Sequence, residues 1–568
     1  MVTREMAVRG YGQDWGQTRS FSNRISSPTG GSNGNGWFVK EMPQLGQDPS
    51  GNIAVIGIIN DALWFNSSSS NSYVSRFFTG DTLTENTTAK EFAFTDTRGQ
   101  VTKFYSFDST IAAPLRGQFK SLTDPYGNLA SASYNSSSSI SSLTLGSSPG
   151  LTFSYSYYTS GANAGKLQYA TLQRGTTNVR RVSYTYYGSG DANGNPGDLQ
   201  ESVVQQWNGS SWDDLGTTYY RYYTSNTSPG YQYGLKFVIR PQAYAAMVAA
   251  GITPEAQTTS DATLAQYADH YFEYNNSTDK RVSKEVVNAQ GTPSSVTSAS
   301  YGYAYNTSGN SNGFNNWNMK NAESLPDGNS RTVYTNYAGQ VMLKVLTRAS
   351  DGKKWYEYYQ YDTKGRVSLR AESSAIASVS ESSPGLVTLN TGSGLIRVFY
   401  YDATSGLLQY EKVKQGSSGT EITVRELQYT SQTANGITIY PVSKDIRYQS
   451  DASGGSSPAE TDYSYSFFTG TLRVQQKTTT WPTISTSQNG SGTANSRVEV
   501  FDEYGFPTWI KDERGSLTYF QTDQATGAVT QRIDDVDTSL ITDNPPVPTG
   551  WSTPSGRRPA PDYRLHGR

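Results

Sequence analysis

The 568-residue chain contains no cysteine. Disulfides and thiolate metal sites are therefore excluded, although the compartment is not identified by that absence. Histidine occurs only at His270 and His566, so zinc sites, Cys-His dyads and Ser-His-Asp triads find little support. His270, in an aromatic-rich junction, reads as a packed side chain. No apolar run approaches the roughly 18 residues of a spanning helix. Charge is sparse at 17% and nearly balanced at −2, which gives no reason to expect nucleic acid or an anionic membrane surface as partner. The opening MVTREMAVRGYGQDWGQ has no apolar core, so no export signal is present in this chain; the expectation is a start internal to a longer gene.

Apolar residues are also few, at 35%. Low charge with low apolarity would suggest disorder, but 13% aromatics, including 42 tyrosines, supply material to pack. The stretch 355–370, WYEYYQYDTKGRVSLR, shows how that material is arranged. Trp355, Glu357, Tyr359 and Tyr361 alternate with Tyr356, Tyr358 and Gln360, the period-2 pattern of a strand. Asp362 through Gly365 reads as a turn, with Asp bonding its own backbone and Gly taking a positive φ. Val367 and Leu369 then lead away, which predicts a hairpin.

Looser copies recur: Asp96 with Gly99, Asp124 with Gly127, Asn336 with Gly339, Tyr401-Asp402 with Gly406, Asp502 with Gly505, Asp512 with Gly515, and Asp523 with Gly527. Successive Gly-to-Gly steps include 28 (99 to 127), 26 (339 to 365) and 22 (505 to 527). A period of this size marks a repeat architecture. The Tyr-Asp-x-x-Gly-Arg-Val run at 361–367 and its copies resemble the RHS or YD repeat of bacterial surface and secreted proteins. Further stretches resemble an RHS subgroup of planctomycete-type bacteria: Asn60 to Phe65, Tyr267 to Tyr274, and Leu325 to Asn329. The resemblance implies hairpins joined into a sheet wound as a hollow shell.

Three divisions are expected. Residues 1–90, with scattered tryptophans and the apolar strand from Ile53 to Ile59, read as an N-terminal β cap module. Residues 91–540 read as the YD-repeat array. It is interrupted at 241–270 by two short helices, the first opening on Pro241 and closing on Gly251, the second capped by Ser260 or Asp261. Residues 371–394 read as a surface excursion. Residues 541–568 read as a Pro/Arg-rich irregular tail, truncated or altered in frame. Along each strand one set of side chains is aromatic or aliphatic and the other polar. Tyr155, Tyr184, Tyr463 and Tyr465 are expected to face inward, and Ser154, Ser183 and Ser464 outward.

Catalytic, cofactor and metal residues are not assigned. The Asp residues sit before Gly in turns, where a local backbone bond accounts for them, and no calcium loop of EF-hand spacing occurs. The class expected is all-β: YD-repeat hairpins in a long coiling antiparallel sheet with a short helical insert. The function implied by the resemblance is structural, a secreted or cell-surface shell enclosing, carrying or displaying a C-terminal domain absent from this chain. The competing reading is a cell-surface adhesin binding glycan through Tyr and Trp platforms such as Trp15 or Trp64. An enzyme is not expected.

Overall fold

The computed structural model describes the chain except residues 24–30, 59–60, 70, 78–79, 147–149, 288–298, 451–455, 543–544 and 555–568. Strand accounts for 51% of the chain and helix for 5%, so the class is all-β. From Gln44 to Asp534 the strands form a single sheet, apart from two separate two-stranded pairs, Ile376–Val379 with Val387–Leu389 and Gln432–Ala434 with Ile437–Ile439. With few exceptions each strand pairs antiparallel with the one before it, as in Lys354–Tyr361 against Val367–Glu372 and Leu517–Asp523 against Ala528–Asp534. Tight turns between alternating strands dictate this meander, since a short Gly turn can only return the chain beside itself.

The register keeps one face continuous over the sheet. Tyr184 opposes Ser202, which opposes Thr218. Two residues on, Tyr220 opposes Val238, and Val238 opposes His270. The same side continues through Glu285, Tyr303, Glu323 and Arg331. It then passes Lys344, Glu357, Arg370, Arg397 and Arg425 to Asp445 and Tyr463. This is the inner face, because it receives the N-terminal segment. Tyr155 and Tyr184 are buried there, and Tyr463 and Tyr465 on the same side are half-buried. Ser464 is exposed on the opposite side, whereas Ser154 and Ser183 are only half-exposed because neighbouring strands shield them.

The N-terminal segment is a hairpin, Val2–Gly10 and Gln13–Phe21, extended by Trp37–Val39. It lies across the inner face: Trp15 stands 5.8 Å from Phe119, and Trp37 stands 5.1 Å from Tyr220. The expected cap module of 1–90 is therefore not one unit. Strands from Gln44–Gln47 to Thr82–Asn86 belong to the main sheet, and the ladder pairing Asn86 with Glu91 runs straight through residue 90. Ile53, Ala54 and Val55 explain this. All three are buried, so both faces of that strand need cover and both edges need partners, which Gln44–Gln47 and Asp61–Ser69 supply.

The sheet winds until distant hairpin ends meet. Arg174 bonds Asp523, 349 residues away, at 2.8 Å. The Arg473 guanidinium bonds the Tyr126 carbonyl, and Phe77 packs on Tyr337 at 5.3 Å. Winding is the expected outcome of strand twist in so long a sheet. Among the described residues, three segments lie over the outer face. Helices α1 (Pro241–Ala249) and α2 (Asp261–Ala265) overlie Tyr219 and Arg221; Arg221 bonds Asp261 and the Pro254 carbonyl. The 371–394 excursion covers Tyr334 and Tyr358, with Glu381 accepting from the Tyr334 hydroxyl at 2.7 Å and Leu386 buried in the same cluster. The tail covers Trp509 with Val547 and Trp551. Its Arg-rich end, with His566, lies outside the described residues.

Candidate functional site

The turns and the inner face are the two candidates for a working surface. At the turns, Asp362 Oδ1 accepts the backbone N–H of Lys364 and of Arg366, both at 2.9 Å, and the Gly365 N–H closes on the Asp362 carbonyl at 3.0 Å. Asp96 does the same with Arg98 and Gln100, and Asp502 with Tyr504 and Phe506. Asp124 accepts from Asn128, Asp402 from Thr404 and Ser405, and Asp523 from Ala525 and Thr526. Gly99, Gly127, Gly365, Gly406, Gly505 and Gly527 all have positive φ. These carboxylates are thus engaged by their own turns. His270 stacks on Phe272, and its Nδ1 lies 2.9 Å from Glu285.

The tyrosine at the strand end has a further partner that alternation alone does not reveal. Tyr361 donates its hydroxyl to the Val341 carbonyl at 2.6 Å, and Tyr401 donates to Val367 at 2.7 Å. Tyr186 to Leu167, Tyr305 to Val282, Tyr429 to Leu408 and Tyr465 to Val442 repeat the contact. Each acceptor is the first residue of an earlier strand. Each bond, worth about 1 kcal/mol, ties one hairpin to the preceding one. Only Tyr361 and Tyr401 stand immediately before Asp, so the Tyr-Asp pair signals two of these six bonds.

The inner face divides in two. From Phe119 to Tyr274 it is filled by the N-terminal hairpin. Arg19 lies over the Tyr184 ring at 3.9 Å, and the Tyr184 hydroxyl donates to Glu5 at 2.6 Å. Burial pushes the Glu5 carboxyl above its ordinary range, opposed by the Arg19 charge. Burial raises the Tyr184 phenol as well. The contact is unusually polar: among the described residues, the buried side-chain amide of Gln17 has no hydrogen-bond partner. Trp15 is 2% exposed, so it offers no platform for a glycan, and Trp64 is half-buried with Arg76 over its ring.

From Tyr303 to Glu499 the inner face carries cross-strand ion pairs instead. Arg331 pairs with Glu323 at 2.5 Å, Lys344 and Arg370 with Glu357 at 3.1 and 2.7 Å, Arg397 with Glu411 at 2.5 Å, and Arg425 with Asp445 at 2.8 Å. Here Tyr334, Tyr356 and Tyr358 are on the outer face. The reason is the 371–394 excursion, which gives those rings an apolar cover outside.

No protein-family model matches the chain, and no curated protein matches it. Among solved structures the chain is similar to a TcdB2-TccC3-Cdc42 complex at 10% identity and a TM-score of 0.39, covering 94% of this chain and 26% of that one. It is similar to a TcdB2-TccC3 structure at 11% identity, with TM-score 0.30 over 87% of this chain and 27% of that one. The Photorhabdus luminescens Tc holotoxin pore gives 10% identity and a TM-score of 0.20, over 88% of this chain and 27% of that one. The chain thus spans about a quarter of these proteins, and the scores are too low to carry an argument.

Proposed function

We propose that the chain is part of the wall of a hollow shell, in an RHS protein of the planctomycete-type subgroup, that encloses a C-terminal domain absent from this chain. The observation that supports this reading is the wound sheet itself. Hairpin ends hundreds of residues apart meet side to side, and the inner face from Tyr303 to Glu499 is lined by partly exposed ion pairs. A wall finished on its outside by three covering segments, yet open on its inside, suits containment. The site is extracellular or at the cell surface, and the role is structural, with no catalytic step.

The test is limited proteolysis of this chain joined to the coding sequence that follows it. Enclosure predicts that the following domain is cut far more slowly in the joined protein than alone. Equal rates overturn the reading. So does turnover of a glycoside or peptide that is lost when a single carboxylate is changed.

A further inference from the structure

A groove of about 870 Å³ lies where the last strands meet the tail. The volume falls within the roughly 300–1,000 Å³ of ligand clefts. Neither the shell reading nor the turn chemistry accounts for it. One side is the Pro-rich run from Pro545 to Trp551, and the other is the sheet around Trp509. Phe468, Phe520 and Trp551 supply flat aromatic surface, while Gln475 and Gln476 supply side-chain amides. None of the described residues lining it is Lys or Arg. Asp502 already accepts the amides of its own turn.

Trp509 is the second, independent observation. It lines the groove and is fully buried, with its ring 4.8 Å from Tyr519 and 6.5 Å from Trp551. Among the described residues its indole N–H has no hydrogen-bond partner. Buried donors are nearly always paired, and one left alone at a cleft calls for an acceptor. An indole donates only, so the missing group must be an acceptor such as a hydroxyl or carbonyl oxygen.

We propose that this groove binds a neutral oligosaccharide. Sugar hydroxyls both donate and accept, as glutamine amides do, and the C–H faces of pyranose rings lie flat on aromatic rings. The lack of cationic lining disfavours phosphate, sulfate and uronate. A hydroxyl oxygen at the groove floor would complete Trp509. The site is separate from the inner face, so its failure leaves the shell reading untouched.

The experiment is titration calorimetry of the purified chain with hexasaccharides of glucose, mannose, xylose and N-acetylglucosamine, alongside heparin and polygalacturonate. Gln475 is exposed, so Gln475→Ala keeps the fold; Trp509→Phe keeps a six-membered aromatic ring and removes the five-membered ring that carries the N–H. Saturable binding of a neutral hexasaccharide is expected, weakened about tenfold by either substitution, with the melting midpoint of Gln475→Ala unchanged. No binding at millimolar ligand, binding that both substitutions leave unchanged, or tighter binding of heparin or polygalacturonate overturns the proposal.

Discussion

Two halves of the same sheet meet the same problem in opposite ways. In the first half, from Phe119 to Tyr274, inward rings such as Tyr155 and Tyr184 are buried under the N-terminal hairpin, while Tyr219 lies outside beneath the helices. In the second half, from Tyr303 to Glu499, the covered rings point outward under the 371–394 excursion, and the inner face carries charge. The difference teaches that the repeat does not fix which face is apolar. Tyr, Asp and Gly at the turn fix the hairpin and its tie to the previous one. Which face becomes dry is decided by whichever segment of the chain lies against it. The shared face of Tyr184 and Tyr463 is thus a buried core at one and half-wet at the other.

The comparison breaks first at those two residues. Tyr184→Ala should cost about 3–5 kcal/mol, as for large-to-small changes in a core, since it also strips Glu5 of its hydroxyl donor. Tyr463→Ala should cost about 1 kcal/mol or less. Urea midpoints measure both, and equal costs would erase the distinction between the halves. Tyrosine iodination gives the same answer without mutation: Tyr463 should react in the folded protein and Tyr184 should not.

Much of the fold was legible because its signals are local. The alternation from Trp355 to Tyr361, the Asp and Gly of each turn, and the Pro241 start of α1 all act within a few residues. The domain boundary at 90 was not legible. The pairing of Asn86 with Glu91 is itself an ordinary hairpin, and nothing near it shows that the hairpin of Val2–Phe21 leaves the sheet to lie across Tyr184. The tyrosine ties from Tyr361 to Val341 and from Tyr401 to Val367 were hidden for the same reason, since their partners are one hairpin back. The groove at Trp509 depends on a tail that reads as irregular.

A second break uses pH, on the outer side of the first half. Burial, with a hydrogen bond to Glu255, raises the Glu201 carboxyl from 4.5 to about 8. The folded state therefore holds a proton that the unfolded state has lost between those values. The stability this gives is fully present below about pH 4.5 and disappears as pH rises through about 8. The unfolding free energy from urea titration should fall over that window by at most about 5 kcal/mol, and Glu201→Gln should flatten the fall. A flat profile in the unsubstituted chain would contradict the buried carboxyl pair beneath the helical insert.

A third sharpens the role of the turns, which both halves share. Gly365 has a φ of +71°, and a Cβ there would sit 2.8 Å from the Phe314 ring. Gly339 has a φ of +78° but nothing within 4 Å. Gly365→Ala should cost about 1–3 kcal/mol and Gly339→Ala about 1 kcal/mol, since the second pays only backbone strain. Hydrogen exchange should show each loss confined to the altered hairpin and its neighbours.

The smallest effect concerns the wet half. Arg425 and Asp445 form a two-pronged pair at 2.9 and 2.8 Å, with side chains 27% and 17% exposed. Two opposing terms set its value. The paired geometry is favourable, but an inner face in contact with solvent screens the charges. If that face is open to water, the pair resembles an exposed one, and the coupling between Arg425→Ala and Asp445→Ala should be about 0.2–1 kcal/mol, shrinking as salt is raised. If the face were instead sealed and dry, removing one partner would leave an uncompensated buried charge and cost about 3–5 kcal/mol, with little response to salt. A double-mutant cycle at low and high salt separates the two cases. A large, salt-insensitive loss would mean that the second half is packed as the first is, with no room inside it for anything but its own side chains.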